Sequence, residues 1–187
     1  VPSNDYWYLA INQRNAPWDS VEARQAVAFA IDREQIIQAA TQGAADGFHV
    51  LVCSGDRDTI QLVTDDVTLL YPNVQGVSQL KRYDPAAVLE KYGLPPQNYP
   101  DIAALVGETS DNLPGVPKVG EKTAVKWLTQ WGSLAALIEN SDKITGVVGG
   151  NLREHLDDVR RNRELNALLR DVELPLAPKD LAVQPMD

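Results

Sequence analysis

The fold of this chain is determined around one stretch, Val50-Leu51-Val52-Cys53-Ser54-Gly55-Asp56-Arg57-Asp58. Phe48 to Ser54 is a continuous apolar run of strand length, a pattern typical of a strand that is covered on both faces in a parallel sheet. Thr59 to Thr64 then predicts a short helix, and Val67 to Tyr71 predicts the next parallel strand. Strand, loop, helix and strand in this order form the unit of a right-handed crossover sheet.

Further elements are predicted on both sides of this unit. Tyr6 to Ile11 has the composition of a strand, and Val21 to about Thr41 has helical spacing after Asp19 or Ser20 as N-cap. After about Ser78 we expect helices at Pro85 to Tyr92, Pro96 to Gly107, Glu121 to Gln130, Ser133 to Asn140 and Asn151 to Leu169. The predicted fold class is α/β: a small, mostly parallel sheet with flanking helices, followed by a helical module.

The composition is that of a globular protein. A chain of 187 residues that is 44% hydrophobic needs neither disulfides nor a structural metal to fold. The single cysteine, Cys53, predicts a small buried hydrophobe in a reducing compartment, so we expect a cytoplasmic protein. No signal peptide or membrane span is recognisable. The net charge of −9 disfavours general adhesion to nucleic acid or anionic lipid, but it averages over local patches.

Acidic residues follow two of the predicted elements. Asp56 and Asp58 lie just past the carboxyl end of a predicted strand, where ligands bind in open α/β sheets, and Glu108 and Asp111 lie at a helix-to-loop junction. Together these four carboxylates would suit Mg²⁺ or Mn²⁺, which prefer oxygen ligands. Taken on spacing alone, helix caps and solvated turn residues remain the commoner explanation for such aspartates.

A glycine-containing turn joins two of the predicted helices at Leu113 to Ala124. Gly115 and Gly120 allow close approach of a ligand to the backbone, and the second opens a helix whose free amides favour a phosphate. Three cations, at Lys118, Lys122 and Lys126, give the turn and the start of this helix a local charge of +2. Both a phosphate-binding turn and a plain helix-helix turn with solvated lysines fit this pattern.

Three stretches in the same order make the chain from about Ala44 onward resemble the 5′-to-3′ exonuclease domain of bacterial DNA polymerase I, in the flap endonuclease family. They are Val50 to Leu62, Tyr83 to Leu94 and Ser110 to Ala124. The resemblance implies that Asp56, Asp58 and Asp111 are catalytic and bind metal, with Glu108 as a further acidic ligand.

The same resemblance implies a helix-hairpin-helix-type DNA-binding turn from Gly115 to Ala124. In relatives, the carbonyls matching Gly115, Val116 and Val119 hold a K⁺ that bridges to a DNA phosphate. The implied partner is duplex or flap DNA, bound independently of sequence. Besides those three, the implied contact residues of this chain are Lys118, Gly120, Lys122, Thr123 and Lys126.

The front of the chain departs from that family. It lacks the strand with a metal-binding aspartate, the arch and the acidic helix of such nucleases, and Tyr6 to Asn12 and Val21 to Glu34 instead resemble an extracellular solute-binding protein of the peptide-transporter type. We therefore expect a chimera, with residues 1–43 foreign and residues 44–187 a partial 5′ nuclease. That part would comprise a sheet half at 44–78 and a helical DNA-binding module at 79–187. Glu34 falls where one lost acid would lie and is a further candidate metal ligand.

The sequence leaves three hypotheses open. The chain is a 5′ nuclease of the flap endonuclease type whose cleavage is weak or lost, or a module that retains sequence-independent binding of duplex DNA, or a folded chimera with no activity of its own. The loss of several carboxylates from a shared metal site argues against full activity. No peptide ligand and no membrane partner are expected. An unsealed sheet edge makes a homo-oligomer a prospect.

Overall fold

The computed structural model describes residues 20–23, 32–73 and 76–181. The chain divides into two compact units, Val1–Arg33 and Glu34–Asp187. In the first unit, the backbone N–H of Ala23 donates to Oγ of Ser20 at 3.2 Å, which confirms Ser20 as an N-cap. The predicted strand at Tyr6 to Ile11, and the middle of the long helix predicted after Ser20, lie outside the described residues.

A three-stranded mixed sheet forms the front of the second unit, after helix α1 (Arg33–Ala45). The strands are β1 (Val50–Cys53), β2 (Val67–Asn73) and β3 (Gly76–Tyr83), in that spatial order. β1 pairs with β2 in parallel, with Val50 opposite Val67, and a 3₁₀ helix at Arg57–Leu62 makes the crossover. The predicted strand, loop, helix and strand unit is therefore confirmed.

Two details of β1 differ from the sequence prediction. Its first three residues are only half-buried, and Cys53 is exposed instead of buried. The apolar run suggested a central strand covered on both faces, whereas β1 has one strand neighbour, β2, among the described residues. A strand at a sheet edge is less enclosed than a central strand, and its last residue here projects to solvent.

β3 was not predicted. It pairs antiparallel with β2, with Tyr71 opposite Lys81 and Leu69 opposite Tyr83, and it continues to Tyr83, beyond the expected end of the sheet. Lys81 and Arg82 are exposed, while Tyr83 is 2% exposed. An antiparallel strand that faces water on one side has few apolar residues, so the hydrophobic pattern that identified β1 and β2 is missing here.

Six helices follow the sheet in the described part of the chain. They are α2 (Pro85–Tyr92), α3 (Tyr99–Val106), α4 (Glu121–Trp131), α5 (Leu134–Glu139), α6 (Gly146–Glu154) and α7 (Leu156–Leu165). The predicted cap of α2 is confirmed, since Oδ1 of Asp84 accepts from Ala87 N at 2.8 Å and Gly93 ends the helix at φ 73°. With the small sheet, these helices confirm the predicted α/β class.

The last predicted helix is two helices. α6 and α7 meet at His155, whose backbone N–H closes α6 by donating to the carbonyls of Asn151 and Leu152. α6 also begins earlier than the predicted Asn151, in a stretch that contains three glycines. A Cβ at Gly149 would overlap the carbonyl of Ile144, so this glycine permits the segment before α6 to pack closely against the helix.

α3 is the centre of the core and packs against α4 and α7. Ala104 and Leu105 on α3 are fully buried, as are Leu137 on α5 and Leu152 on α6. One buried polar side chain bridges α7, α3 and the segment after α3: Asn162 of α7 is 0% exposed, and its Nδ2 donates to Ala104 O at 3.4 Å and to Pro114 O at 2.8 Å. α3 therefore fixes the position of the segment that follows it.

The tail after α7 is fastened to the 3₁₀ helix through Gln61, which is 7% exposed. Nε2 of Gln61 donates to Asn166 O at 2.8 Å, and Leu168 N donates to Oε1 of Gln61 at 3.2 Å. The guanidinium of Arg170 donates to Gln61 O at 2.9 Å.

Within the described residues, no helix is both long enough and apolar enough to cross a membrane.

Candidate metal centre and nucleic-acid interface

Local hydrogen bonds place Asp56 and Asp58 where β1 runs into the 3₁₀ helix. Oγ of Ser54 accepts from Asp56 N at 3.1 Å, and Oδ1 of Asp56 accepts from Asp58 N at 3.0 Å. Asp56 is thus the N-cap of the 3₁₀ helix. Helix capping is the commoner role of aspartates that follow a strand, and it applies to Asp56. Asp58, one residue inside the helix, has no capping role, and its side chain is half-buried.

The other two acids lie on a short loop that leaves α3 and folds back. Gly107 ends α3 at φ 80°, and strand β4 (Gly107–Glu108) pairs antiparallel with β5 (Leu113–Pro114). A 3₁₀ turn at Thr109–Asp111, closed by Asn112 at φ 56°, connects the two strands. This tight reversal brings Glu108 and Asp111 close together.

Asp58, Glu108 and Asp111 form a carboxylate cluster. One ligand oxygen from each lies within 4.8 Å of the others. Asp58 and Glu108 are half-buried and Asp111 is exposed, so the cluster opens to solvent on one side. Oδ1 of Asp58 is buried and has no hydrogen-bond partner among the described residues. An unsatisfied buried carboxylate oxygen beside two further carboxylates fits a divalent cation, which prefers oxygen ligands.

Two of the predicted ligands are not members of this cluster. Asp56 accepts a capping hydrogen bond through Oδ1, and its negative charge acts on Asp58. Glu34 is an exposed residue in the first turn of α1, and neither the cluster nor the cleft around it includes Glu34. The structure thus brings together three of the five predicted ligands, with a fourth adjacent.

Burial and mutual repulsion disfavour the charged forms of the clustered carboxylates. Burial raises the pKa of Asp58 to about 7, and the charges of Glu108, Asp56 and Asp111 add to the effect. Burial also raises the pKa of Glu108, although the hydrogen bond that Tyr99 Oη donates to Oε1 of Glu108, at 3.2 Å, lowers it. A divalent ion would favour the charged carboxylates and so reverse these upward shifts.

The cluster opens into a cleft of about 600 Å³. Its walls include Asp56, Glu108 and Asp111, together with side chains that the sequence analysis did not select: Arg57, Tyr71, Tyr92, Tyr99, Ile102 and Glu121. The sequence could have indicated Arg57 as a site residue, because it lies between Asp56 and Asp58. The tyrosines come from β2, α2 and α3, and only the tertiary packing brings them to one place.

The predicted DNA-binding turn connects β5 to α4 and is held by backbone and side-chain hydrogen bonds. Val116 N donates to Leu105 O at 2.9 Å, and Nδ2 of Asn151 donates to Pro117 O at 2.7 Å. Lys118 adopts φ 65°, the left-handed conformation that reverses the chain before α4. Val116 and Val119 are buried and Thr123 is half-buried, so the turn is anchored in the core.

The two glycines of the turn differ in environment. A Cβ on Gly115 would overlap the backbone of Val106 and Gly107, so packing within the chain explains this glycine. A Cβ on Gly120 would meet nothing within 4 Å, so the backbone there is open to solvent. Gly120 therefore leaves room for a ligand to approach the backbone closely. The glycine at position 115 is explained by packing within the chain alone.

The lysines of the turn are exposed to solvent. Lys118, Lys122 and Lys126 are exposed, and none of them pairs with a carboxylate from residues 20–23, 32–73 or 76–181. Lys122 and Lys126 lie four residues apart on one face of α4. Glu121, at the start of α4, lines the acidic cleft, so the turn borders the carboxylate cluster.

Comparison with protein families confirms both resemblances. Residues 94–187 match the family model of the 5′-3′ exonuclease, C-terminal SAM fold. Residues 1–87 match the middle part of bacterial extracellular solute-binding proteins, family 5. The two matches do not overlap, since one ends at residue 87 and the other begins at residue 94.

Curated relatives are DNA polymerases I. The enzyme of Mycobacterium tuberculosis is 57% identical over 148 residues, which are 79% of this chain and 16% of the relative. That of Bacillus subtilis is 40% identical over 140 residues, or 74% of the chain and 16% of the relative. The chain thus spans about one sixth of the length of these relatives.

Solved structures agree on the fold. A 5′-exonuclease of bacteriophage T5 with bound zinc has a TM-score of 0.63 at 20% identity and covers 73% of this chain and 49% of its own. A flap endonuclease of the same phage, solved with DNA and metal ions, has a TM-score of 0.62 at 21% identity. The match covers 74% of this chain and 50% of the phage protein. By the match over residues 94–187, the chain belongs to the 5′-3′ exonuclease family with the C-terminal SAM fold.

Proposed function

We propose that this chain binds duplex and flap DNA independently of sequence and retains part of a divalent-metal site, with cleavage weakened or lost. The observation that carries the proposal is the position of Glu121, which joins the exposed lysines of the turn to the cleft of the carboxylate cluster. Phosphates bound at the turn would lead the backbone of DNA toward the acids. The DNA and metal ions in the phage flap endonuclease structure support this assignment.

Asp58, Glu108 and Asp111 would hold the ion, with Asp56 adding negative charge from the N-cap. Bound Mg²⁺ or Mn²⁺ would activate water and stabilise the leaving oxygen of a phosphodiester. Hydrolysis by two ions needs more oxygen ligands than three clustered carboxylates provide, and this is the reason to expect weak cleavage. Glu34 has no part in this proposal because it lies outside the cluster.

The turn would bind phosphate through the charge of Lys118, Lys122 and Lys126 and through the open backbone at Gly120. The carbonyls of Gly115, Val116 and Val119 are the candidate ligands of a K⁺ that bridges to the phosphate. Thr123 follows them in the first turn of α4. Contacts of this kind recognise the DNA backbone and carry no sequence information.

The match of the front residues to solute-binding proteins supports a chimeric origin, with a foreign segment at about 1–43 joined to a partial nuclease at 44–187. A homo-oligomer through the sheet edge at β1 remains part of this proposal. Sedimentation of the full chain would reveal it.

Fluorescence anisotropy with a labelled DNA duplex, measured across salt concentrations in Ca²⁺, tests DNA binding. We expect affinity to fall with rising salt, and the Lys118→Ala and Lys122→Ala double variant to reduce the slope by about two phosphates. Lys179→Ala, an exposed lysine outside the turn, is the control. An unaltered slope would contradict the assignment of the turn.

Cleavage is tested separately with a labelled flap substrate in Mn²⁺. Weak cleavage that disappears in Asp58→Asn would support the residual metal site. Absence of both binding and cleavage would favour a folded chimera with no activity of its own.

A further inference from the structure

Asp58 is carried by a 3₁₀ helix that is long for its kind. Runs of this conformation beyond about three or four residues are uncommon, because the hydrogen-bond geometry is poorer than in an α-helix. The helix here has 6 residues, Arg57–Leu62, and its N-terminal end is capped by Asp56. Contacts from outside the helix are therefore needed to hold its C-terminal half, and Gln61 provides them.

The carboxamide of Gln61 bonds the tail of the chain with both of its ends. The residue is 7% exposed, its Nε2 donates to Asn166 O at 2.8 Å, and its Oε1 accepts from Leu168 N at 3.2 Å. The two partners are backbone groups that lie 105 and 107 residues further along the chain. These bonds fix the helix against the tail, since breaking either one would leave a buried polar group unpaired.

Arg170 closes the C-terminal end of the same helix. The last hydrogen bond of the helix runs from Val63 N to Ile60 O, so the carbonyl of Gln61 lies beyond the intrahelical bonds. The guanidinium of Arg170 donates to this carbonyl at 2.9 Å. Burial lowers the pKa of Arg170, although much of the side chain remains exposed. A cation in this place is favourable, because it opposes the negative end of the helix dipole.

The helix itself connects this hold to the carboxylate cluster. With three residues per turn, residues i and i+3 of a 3₁₀ helix eclipse, so Asp58 and Gln61 lie on one side, about 6 Å apart along the axis. Oδ1 of Asp58 is buried and accepts no hydrogen bond from the described residues. The helix backbone therefore sets the position of that oxygen, and its distance to Glu108 and Asp111 depends on how firmly the helix is held.

We propose that Gln61 and Arg170 are positioning residues of the metal centre. Through their bonds, residues 166–170 hold the 3₁₀ helix so that Asp58 remains beside the other two carboxylates. Neither residue is a member of the carboxylate cluster or lines its cleft. Loss of a group that orients a metal ligand typically costs about tenfold or more in metal affinity. This inference rests on the metal site of the proposed function.

The test measures Mn²⁺ affinity by titration calorimetry on the full chain, at a temperature below the unfolding midpoint of every variant. The variants are Gln61→Ala, Arg170→Ala and the conservative Arg170→Lys, whose ammonium can still donate to a carbonyl. Arg160→Ala is the matched charge control, because Arg160 is an exposed arginine of α7 that pairs with Asp157. Ile144→Val is the stability control, because it trims a core residue outside the 3₁₀ helix and the tail.

We expect Gln61→Ala and Arg170→Ala to weaken Mn²⁺ binding by about three- to tenfold, and Arg170→Lys to bind close to the wild type. The direction is diagnostic, since removal of a positive charge would by itself strengthen the binding of a cation. Arg160→Ala and Ile144→Val should not weaken it.

Variants of Gln61 and Arg170 that lower the unfolding midpoint but bind Mn²⁺ like the wild type would overturn the inference, because the tail would then support only the fold. Equal weakening by Ile144→Val would overturn it too. If Gln61→Ala does not fold, the two Arg170 variants decide. If the wild type binds no Mn²⁺, the proposed metal site itself is wrong, and this inference with it.

Discussion

Gly107 and Gly115 cross so closely that a Cβ on Gly107 would lie 2.8 Å from the Cα of Gly115. The crossing joins the loop of the carboxylate cluster to the DNA-binding turn through β4 and β5. The acids and the lysines therefore hold fixed positions only while these two backbones remain in contact. Each site depends on a residue that has no side chain of its own.

We expect Gly115→Ala to destabilise the fold by about 1–3 kcal/mol or more, because the added methyl group must displace the backbone of Val106. Urea denaturation monitored by circular dichroism measures the change. Gly120→Ala is the control, since a Cβ there meets nothing within 4 Å. Equal stability of the two variants would contradict the close crossing.

The stability of the metal-free protein should depend on the protonation of Asp58. Burial raises the pKa of Asp58 from its ordinary 3.8 to about 7. Because the folded-state pKa is the higher one, this contribution is full below about pH 4 and is lost as the pH rises through about 7. Urea denaturation in a chelator should thus show stability falling toward neutral pH.

Asp58→Asn should flatten this pH dependence and increase stability above neutral pH, since the variant has no charge to bury. Asp65→Asn, an exposed residue on the loop before β2, is the control and should keep the wild-type slope. The two measurements together separate the cluster from the general acidity of the chain. An identical slope in both variants would exclude Asp58 as the titrating group.

Tyr99→Phe should weaken Mn²⁺ binding by about tenfold, because loss of a hydrogen bond that orients a ligand typically costs that much. The hydroxyl of Tyr99 lowers the pKa of Glu108, so its removal also makes protons compete better with the metal. Titration calorimetry with Mn²⁺ measures the affinity. Tyr83→Phe removes an equally buried hydroxyl whose partner is Lys91, and it should leave the affinity unchanged.

Asn162→Ala should cost about 1–3 kcal/mol of unfolding free energy, since it removes a fully buried side chain whose Nδ2 donates to the carbonyls of Pro114 and Ala104. Asn151→Ala removes a comparable bond to Pro117, but that bond is exposed, and water can replace it. We therefore expect a clearly smaller loss in the second variant. Chemical denaturation of both proteins compares them directly.

The sequence identifies the parts of this site that local chemistry determines. Asp56 and Asp58 follow an apolar strand, and the lysine turn has glycine and proline at marked positions, so both were found without the structure. Asp84 and Gly93 likewise delimit α2 because capping is a local interaction. These predictions need only a few consecutive residues.

Properties that depend on packing could not be predicted in this way. The exposure of Cys53 follows from the number of strands beside β1, and β3 is a strand because β2 offers it an edge. The sequence around Tyr71, Tyr92 and Tyr99 contains no motif that marks a site, and the cleft forms only when three elements meet. That Asp58 and not Asp56 joins Glu108 and Asp111 follows from the tertiary placement of the 3₁₀ helix beside the β4–β5 loop.

The three bonds at Gln61 have a practical consequence for shortened versions of the protein. A polypeptide that stops at the end of α7 would lack Asn166, Leu168 and Arg170, and Gln61 would lose every one of those bonds. Gln61 lies three residues after Asp58 on the same 3₁₀ helix. Expression boundaries that omit residues 166–170 would thus weaken the anchoring of the 3₁₀ helix that carries Asp58.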